Sequence, residues 1–259
     1  MAENEVIYEK QGNVATVTFN RPQARNAMTY AMYEELYNAC EQVDADDEVR
    51  VLVLRGAGEK AFVAGTDINQ FRDLRTPADA RAYEERMDRV IGRLESVRKP
   101  VIAAVRGYAT GGGAMIALVS DLRICASDAR FGIPVARTLG NVLSIANYAR
   151  LLDLLGPSRT KYLIFTATMV DAAGALAMGL ANEVVPPEQL EARVAELSQT
   201  IAKHAPLTLQ ATKESIRRIQ AHRRGPHNDD LVVACYTSED FQEGVHAFLE
   251  KRPPEFKGR

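Results

Sequence analysis

Short β-branched or apolar runs, each closed by a turn-forming residue, recur through the first half of the chain: VATVTF (14–19), VRVLVLRG (49–56), PVIAAVRG (100–107) and LRICASD (122–128). Runs of this length and composition predict buried strands. Between them the apolar positions switch to a helical period. A helix is expected over 29–43, with Thr29 as its cap, and another over 77–97, with Pro77 in its first turn and Tyr83, Met87, Val90, Ile91 and Leu94 along one face. This alternation reads as α/β. From Ser144 onward the pattern is almost wholly helical, over 144–156, 157–167, 171–179, 187–205, 206–222 and 238–252, with one extended piece, LANEVV, at 180–185. The expectation is a strand-bearing core over 1–195 and a helical C-terminal region over 196–259 that covers a partner or completes a site, with a change of architecture near 195–206 and no linker.

A near-repeat sharpens that picture. VLVLRGAGEKAFVAGTD (51–67) and VIAAVRGYATGGGAM (101–115) each run strand, Arg-Gly, short loop, then small residues leading into a helix. Two such units are expected side by side.

Composition adds mainly exclusions. The chain has 259 residues, 46% of them apolar and 25% charged, and a formal net charge of -2. That balance suits a folded protein and argues against nucleic acid as the main partner, because phosphate backbones call for a strongly basic face. No stretch is apolar enough to predict a membrane span. The basic cluster HRRGPH (222–227) reads as a solvated helix terminus. Cys40, Cys125 and Cys235 are far apart and lack nearby paired histidines, so neither a metal site nor a disulfide framework is expected. The N-terminal MAENEVIYEK is acidic and lacks an apolar stretch, which makes cytoplasm the expected location.

The candidate chemistry lies in two loops, FVAGTDI (62–68) and TGGGAM (110–115). In each a glycine-containing turn meets a helix start, where main-chain N–H groups lack intrahelical partners and the helix dipole favours negative charge. If the two units adjoin, the N–H groups of Thr66 and Gly112 converge on one oxygen, as an oxyanion hole for a thioester carbonyl becoming an enolate. Glycines 111–113, Gly111 among them, then let a ligand approach the main chain closely. Equally, these glycines read as aids to tight helix–strand packing.

Six motifs in order, NRPQARNAM (20–28), AFVAGTDI (61–68), KPVIAAVRGYATGGG (99–113), SDLRICASDARFGIP (120–134), GALAMGLANEVV (174–185) and AFLEKRPPEF (247–256), make the chain resemble the enoyl-CoA hydratase/isomerase, or crotonase, family over nearly its full length. The resemblance implies a crotonase-like ββα spiral with a helical C-terminal trimerisation region, a homotrimer or homohexamer, and a coenzyme A thioester as substrate, with coenzyme A entering only as part of it. It carries the oxyanion donors onto Thr66 and Gly112. Contacts to the adenine and phosphates fall on the turn at Ala24 and Arg25, the main chain near Ala64, and Lys251 supplied by a neighbouring subunit; Arg25 and Lys251 read equally as surface charge.

The departure from the family pattern is chemical. The two glutamates that hold water in the family's hydratases fall on Met115 and Val135, neither of which moves a proton. Hydration needs a base and an acid around one water, so the standard mechanism is lost. A third family position falls near Ser144, beside Asn141, Asn147 and Tyr148. Ser144 could orient water or donate to substrate, but the reading as a helix N-cap is favoured. Arg137 either grips a substrate carboxylate or is solvated. Asp67 caps a helix start or braces its loop, Asp121 and Asp128 read as structural, and His204, His222, His227 and His246 as surface residues. Three functions follow: hydration or isomerisation of an enoyl-CoA by a non-standard acid/base group; decarboxylation of a malonyl-type CoA, which makes the same enolate without a base; or non-catalytic acyl-CoA binding. The C-terminal tail, LIFTA and the Pro134–Val135 pair are similar to methylmalonyl-CoA decarboxylase, but that enzyme's site His and Tyr are here Thr66 and Leu143.

Overall fold

The computed structural model describes residues 4–221 and 228–259; the HRRGPH cluster, with His222 and His227, lies outside the described residues. β1 (Val6–Gln11) and β2 (Val14–Phe19) form an antiparallel hairpin, and α1 (Tyr30–Ala45) follows, capped by the Thr29 side chain as expected. The chain then winds through three strand pairs. These are β3 (Val51–Gly56) with β4 (Ala61–Val63), β5 (Val101–Val105) with β6 (Tyr108–Thr110), and β7 (Leu122–Ala126) with β8 (Arg130–Gly132). Between pairs lie α2 (Pro77–Glu95) and α3 (Gly112–Val119).

The first strand of each pair joins one sheet and the second joins another. With β9 (Val170–Asp171) and β10 (Glu183–Val185) added, the sheet orders are β1-β2-β3-β5-β7-β10 and β4-β6-β8-β9. Successive units pair in parallel in both sheets. Parallel neighbours cannot be joined by a hairpin, so each unit ends in a helix-bearing crossover, and the result is a spiral of ββα turns. The near-repeat is therefore a physical adjacency: β3 lies against β5, and β4 against β6. The second strands have only three residues each, too few to show a period, which is why the apolar pattern revealed only the first strands.

Both faces of the larger sheet are covered, as expected for parallel strands that read as unbroken apolar runs. Leu52, Leu54, Ala103 and Val105 belong to the core shared with α1 and α2. Val51, Val53, Ile102, Ala104 and Ile124 form a second core with Leu190 and Val194 of α7 (Leu190–Ala202). Residue 195, the expected edge of the core region, thus falls inside a helix that packs on the sheet. The next helix, α8 (Pro206–Ala221), has no buried residue and exposes Leu207, Ile216 and Ile219.

The remaining helices surround the site. α4 (Val135–Thr138) leads into α5 (Ile145–Thr166), which is interrupted at Gly156, and α6 (Ala172–Met178) follows β9. α9 (Asp229–Tyr236), two turns long and too short to show a period, packs against α2, and α10 (Glu239–Glu250) folds over α4 and the turn at Ile68–Phe71. Among the described residues no helix is long and apolar enough to cross a membrane, and no cluster of three His, Cys, Asp or Glu could hold a metal ion.

Candidate active site

The two glycine loops meet. Gly65, at φ 94°, and Gly111, at φ 51°, both adopt left-handed conformations that a side chain would strain. A Cβ on Gly111 would lie 3.8 Å from Gly65 Cα, and one on Gly112 would lie 3.3 Å from Thr66 Oγ1 and collide with the Tyr33 hydroxyl. Thr66 makes a parallel bridge with Met28, in which Met28 N–H donates to Gly65 O (2.8 Å) and Asp67 N–H to Met28 O (2.9 Å). That pattern uses the neighbours' polar groups and turns Thr66's own N–H away from Met28. Gly112 opens α3, so its N–H has no partner within the helix. The Thr66 hydroxyl is bonded to Tyr33 (2.9 Å) and Tyr83 (3.3 Å), which ties the first loop to α1 and α2.

These loops line a cavity of about 970 Å³. Ala24, Arg25, Ala64, Thr66, Asp67, Gly111, Gly112, Met115, Val135, Arg137 and Lys251 all contribute to its wall. Arg25, Arg137 and Lys251 are exposed, so they lie where the cavity meets solvent. Arg25 stacks over the Tyr108 ring, 5.6 Å from its centroid. Asp67 caps the turn at Ile68–Phe71 through Asn69 N–H and pairs with Arg21 at 3.1 Å, so it braces its loop. Asp121 accepts from Val101 N–H and pairs with Lys213, and Asp128 lies against Arg106, both away from the cavity.

The structure keeps the favoured N-cap reading of Ser144, narrows the expectation at Ala64, and puts Lys251 on this chain's own cavity. Ser144 does not line the cavity: its side chain caps α5 and donates to Asp88 (2.7 Å), which occupies the hydroxyl proton. Ala64 N–H is already bonded to Arg25 O (3.0 Å), leaving only the Ala64 carbonyl free to meet a ligand. Lys251, expected from a neighbouring subunit, reaches this chain's own cavity because α10 folds back and ends there with Lys251 in a left-handed C-cap.

One carboxyl escaped the sequence reading. Glu84 of α2 lines the same cavity and is only 9% exposed. Tyr236 of α9 donates to Glu84 Oε1 at 2.6 Å, and Asn141 Nδ2 donates to the Tyr236 oxygen at 3.1 Å. Burial pushes the Glu84 carboxyl up to about 7, against the pull of the Tyr236 hydroxyl, with Asp88 adding repulsion. Asn141 Oδ1 is buried without a partner. A signal was present: residues 80, 84, 87, 91 and 94 form the buried stripe of α2, and Glu84 is its one charged member.

A sequence profile describing enoyl-CoA hydratase/isomerase matches residues 9–259. The chain belongs to the enoyl-CoA hydratase/isomerase family. Two relatives in this family are a short-chain-enoyl-CoA hydratase of Clostridium acetobutylicum, 39% identical with all of both chains covered, and a crotonyl-CoA hydratase of Syntrophomonas wolfei, 36% identical with 99% of each covered. Among solved structures, methylmalonyl-CoA decarboxylase in complex with 2-nitronate-propionyl-CoA superposes with a TM-score of 0.89 at 32% identity, with full coverage of both chains. The fold is the crotonase fold of this enoyl-CoA hydratase/isomerase family, with the expected ββα spiral and helical C-terminal region.

Proposed function

We propose that this protein is an acyl-CoA enzyme that holds a thioester carbonyl between the Thr66 and Gly112 amides and stabilises the enolate formed from it. The observation that carries the reading is the adjacency of the two loops: Gly111 against Gly65, and Gly112 against the Thr66 side chain, at the wall of one cavity. Two amides directed at an oxygen that gains charge act with little reorganisation and supply a large share of catalysis in such sites. Three cations around the opening, Arg25, Arg137 and Lys251, suit the phosphates of coenzyme A, and the Ala64 carbonyl remains as an acceptor for its adenine. Hydration and isomerisation of enoyl thioesters both pass through this enolate, and the names of the two relatives lie on that side.

A second reading is favoured by one observation: Met115 and Val135 leave the usual water-holding positions apolar. Decarboxylation of a malonyl-type thioester needs the oxyanion hole but no base, and the structure at TM-score 0.89 is a decarboxylase. Mass spectrometry of a panel of acyl-CoA thioesters incubated with the protein separates the readings. Gain of water marks hydration, loss of carbon dioxide marks decarboxylation, and a shift in chromatographic retention at constant mass marks isomerisation. Binding of acyl-CoA without any of these changes would reject catalysis, and absence of binding would reject the acyl-CoA reading itself.

A further inference from the structure

The inner lining of the cavity is apolar where Met87, Met115, Val135 and Leu143 contribute, and Glu84 interrupts it. The other carboxyl on the wall, Asp67, is held by Arg21 and by the Asn69 amide and is not free to exchange a proton. Glu84 has no basic partner among the described residues. It is oriented by the Tyr236 hydroxyl, which Asn141 fixes in turn, and is itself largely buried. Contacts run from the oxyanion loop to this corner: Thr66 Oγ1 is hydrogen-bonded to Tyr83 OH, the Tyr83 ring packs 5.6 Å from the Tyr236 ring, and the Tyr236 hydroxyl donates to Glu84.

The geometry points to Glu84 as the group that carries a proton between two carbons of the acyl chain, with β,γ-unsaturated acyl-CoA thioesters as the substrate class and their α,β-conjugated isomers as products. This rests on the acyl-CoA reading above. The Glu84 carboxylate takes a proton from Cα; the C–H electron pair moves to the thioester oxygen, giving a dienolate held by the Thr66 and Gly112 amides. The protonated carboxyl then returns the same proton at Cγ as the carbonyl re-forms, the double bond shifts to Cα–Cβ, and composition is unchanged. One reversible proton carrier and one oxyanion hole complete this cycle. Hydration would need a second group to hold water, and Met115 and Val135 supply none.

Burial that places the carboxyl near 7 suits the role, since a group that accepts and then returns a proton works best when its pKa lies near ambient pH. The neighbours that bear on its charge are Asp88 and Tyr83 on α2, Tyr33 on α1, Tyr148 and the Ser144 main chain on α5, and Tyr236 on α9. None of these is a cation.

The test uses the full chain with hex-3-enoyl-CoA, following the absorbance of the conjugated product, and calorimetric binding of saturated hexanoyl-CoA. Wild type is expected to isomerise without mass change, with an acid limb in kcat/KM near pH 7. Glu84→Gln should lower kcat about 100- to 10,000-fold while hexanoyl-CoA affinity stays within roughly threefold of wild type. Glu84→Asp should recover part of the rate. Tyr236→Phe, which removes a donor to the carboxylate, should move the acid limb to higher pH. If Glu84→Gln turns over within roughly threefold of wild type, or if wild type binds hexanoyl-CoA but does not isomerise the substrate, the role of Glu84 is overturned and the acyl-CoA reading stands. Failure of wild type to bind hexanoyl-CoA overturns the reading beneath it.

Discussion

On one part of the cavity wall the atoms proposed to hold the thioester oxygen are the main-chain amides of Thr66 and Gly112, carried by two loops that the spiral sets side by side. On another part the polar atom is a side-chain carboxyl, Glu84, held by Tyr236 from a helix 152 positions later in the chain. The first region depends on conformations that only glycine adopts easily, so it leaves a local mark in the sequence. The second depends on tertiary packing of α2 against α9, so its mark is a single charge in an apolar stripe. What separates the two is therefore how the atoms are held: a turn fixes an amide locally, whereas a buried carboxyl needs most of the fold around it.

The largest expected effect breaks the loop side. Gly112→Ala and Gly112→Pro add the same Cβ next to Tyr33, but only proline removes the N–H. Proline is tolerated at the first position of a helix, where Gly112 sits, so the helix itself should survive the change. Steady-state turnover of an accepted acyl-CoA should be lower in Gly112→Pro than in Gly112→Ala by about 100- to 1,000-fold. Equal rates in the two variants would remove the amide from the mechanism.

On the carboxyl side the sharper measurement is stability. Burial raises the Glu84 pKa from 4.5 to about 7, so the folded protein holds this proton more tightly than the unfolded chain does. Unfolding therefore releases a proton between those values, and stability falls as pH rises across that window. Above pH 7 the penalty is complete, on the order of 3 kcal/mol. Glu84→Gln keeps an acceptor for Tyr236 and removes the charge, so its denaturant midpoint should exceed that of wild type at pH 8 and approach it near pH 5. A carboxyl that costs the fold stability at neutral pH is the expected signature of a residue kept for function. An unchanged midpoint difference from pH 5 to pH 8 would place Glu84 in an ordinary solvated state.

The first strand of each ββα unit was legible because VLVLRG and VIAAV are buried on both faces and read as continuous apolar runs. The second strands, AFV, YAT and RFG, were not, because three residues carry no period. Thr66 and Gly112 could be placed by the glycines beside them and by the repeat of the unit. Glu84 is hard to read because Tyr83, Met87, Val90, Ile91 and Leu94 mark the face of α2 by their apolarity, and a lone charge among them carries no such signal although it lies on the same buried side. Lys251 lines this chain's own cavity, which the sequence does not show, since nothing local in AFLEKRPPEF reveals that α10 folds back onto the site.

Ser144 offers a smaller test of the same contrast, since its hydroxyl sits close to the carboxyl side without lining the cavity. As an N-cap whose proton goes to Asp88, it should matter for α5 and little for chemistry. Ser144→Ala is expected to cost about 1 kcal/mol in denaturant unfolding. Its kcat should change by no more than roughly threefold. A loss of rate comparable to that of Glu84→Gln would return Ser144 to the mechanism.

The smallest effect belongs to Arg25, where the loop side meets solvent. Its carbonyl accepts from Ala64 N–H at 3.0 Å, its backbone is left-handed at φ 51°, and its guanidinium lies over Tyr108. The side chain is exposed, so a phosphate contact there is screened by salt and contributes modestly. Arg25→Ala should raise KM for a full acyl-CoA by roughly two- to fivefold. It should leave kcat unchanged and have no effect on the matching acyl-pantetheine thioester, which lacks the nucleotide phosphates. The KM difference should shrink as ionic strength rises. A variant that loses kcat on both substrates would show that the turn at Ala24 and Arg25 supports the Thr66 loop through the Ala64 bond, and that its charge is incidental to coenzyme A.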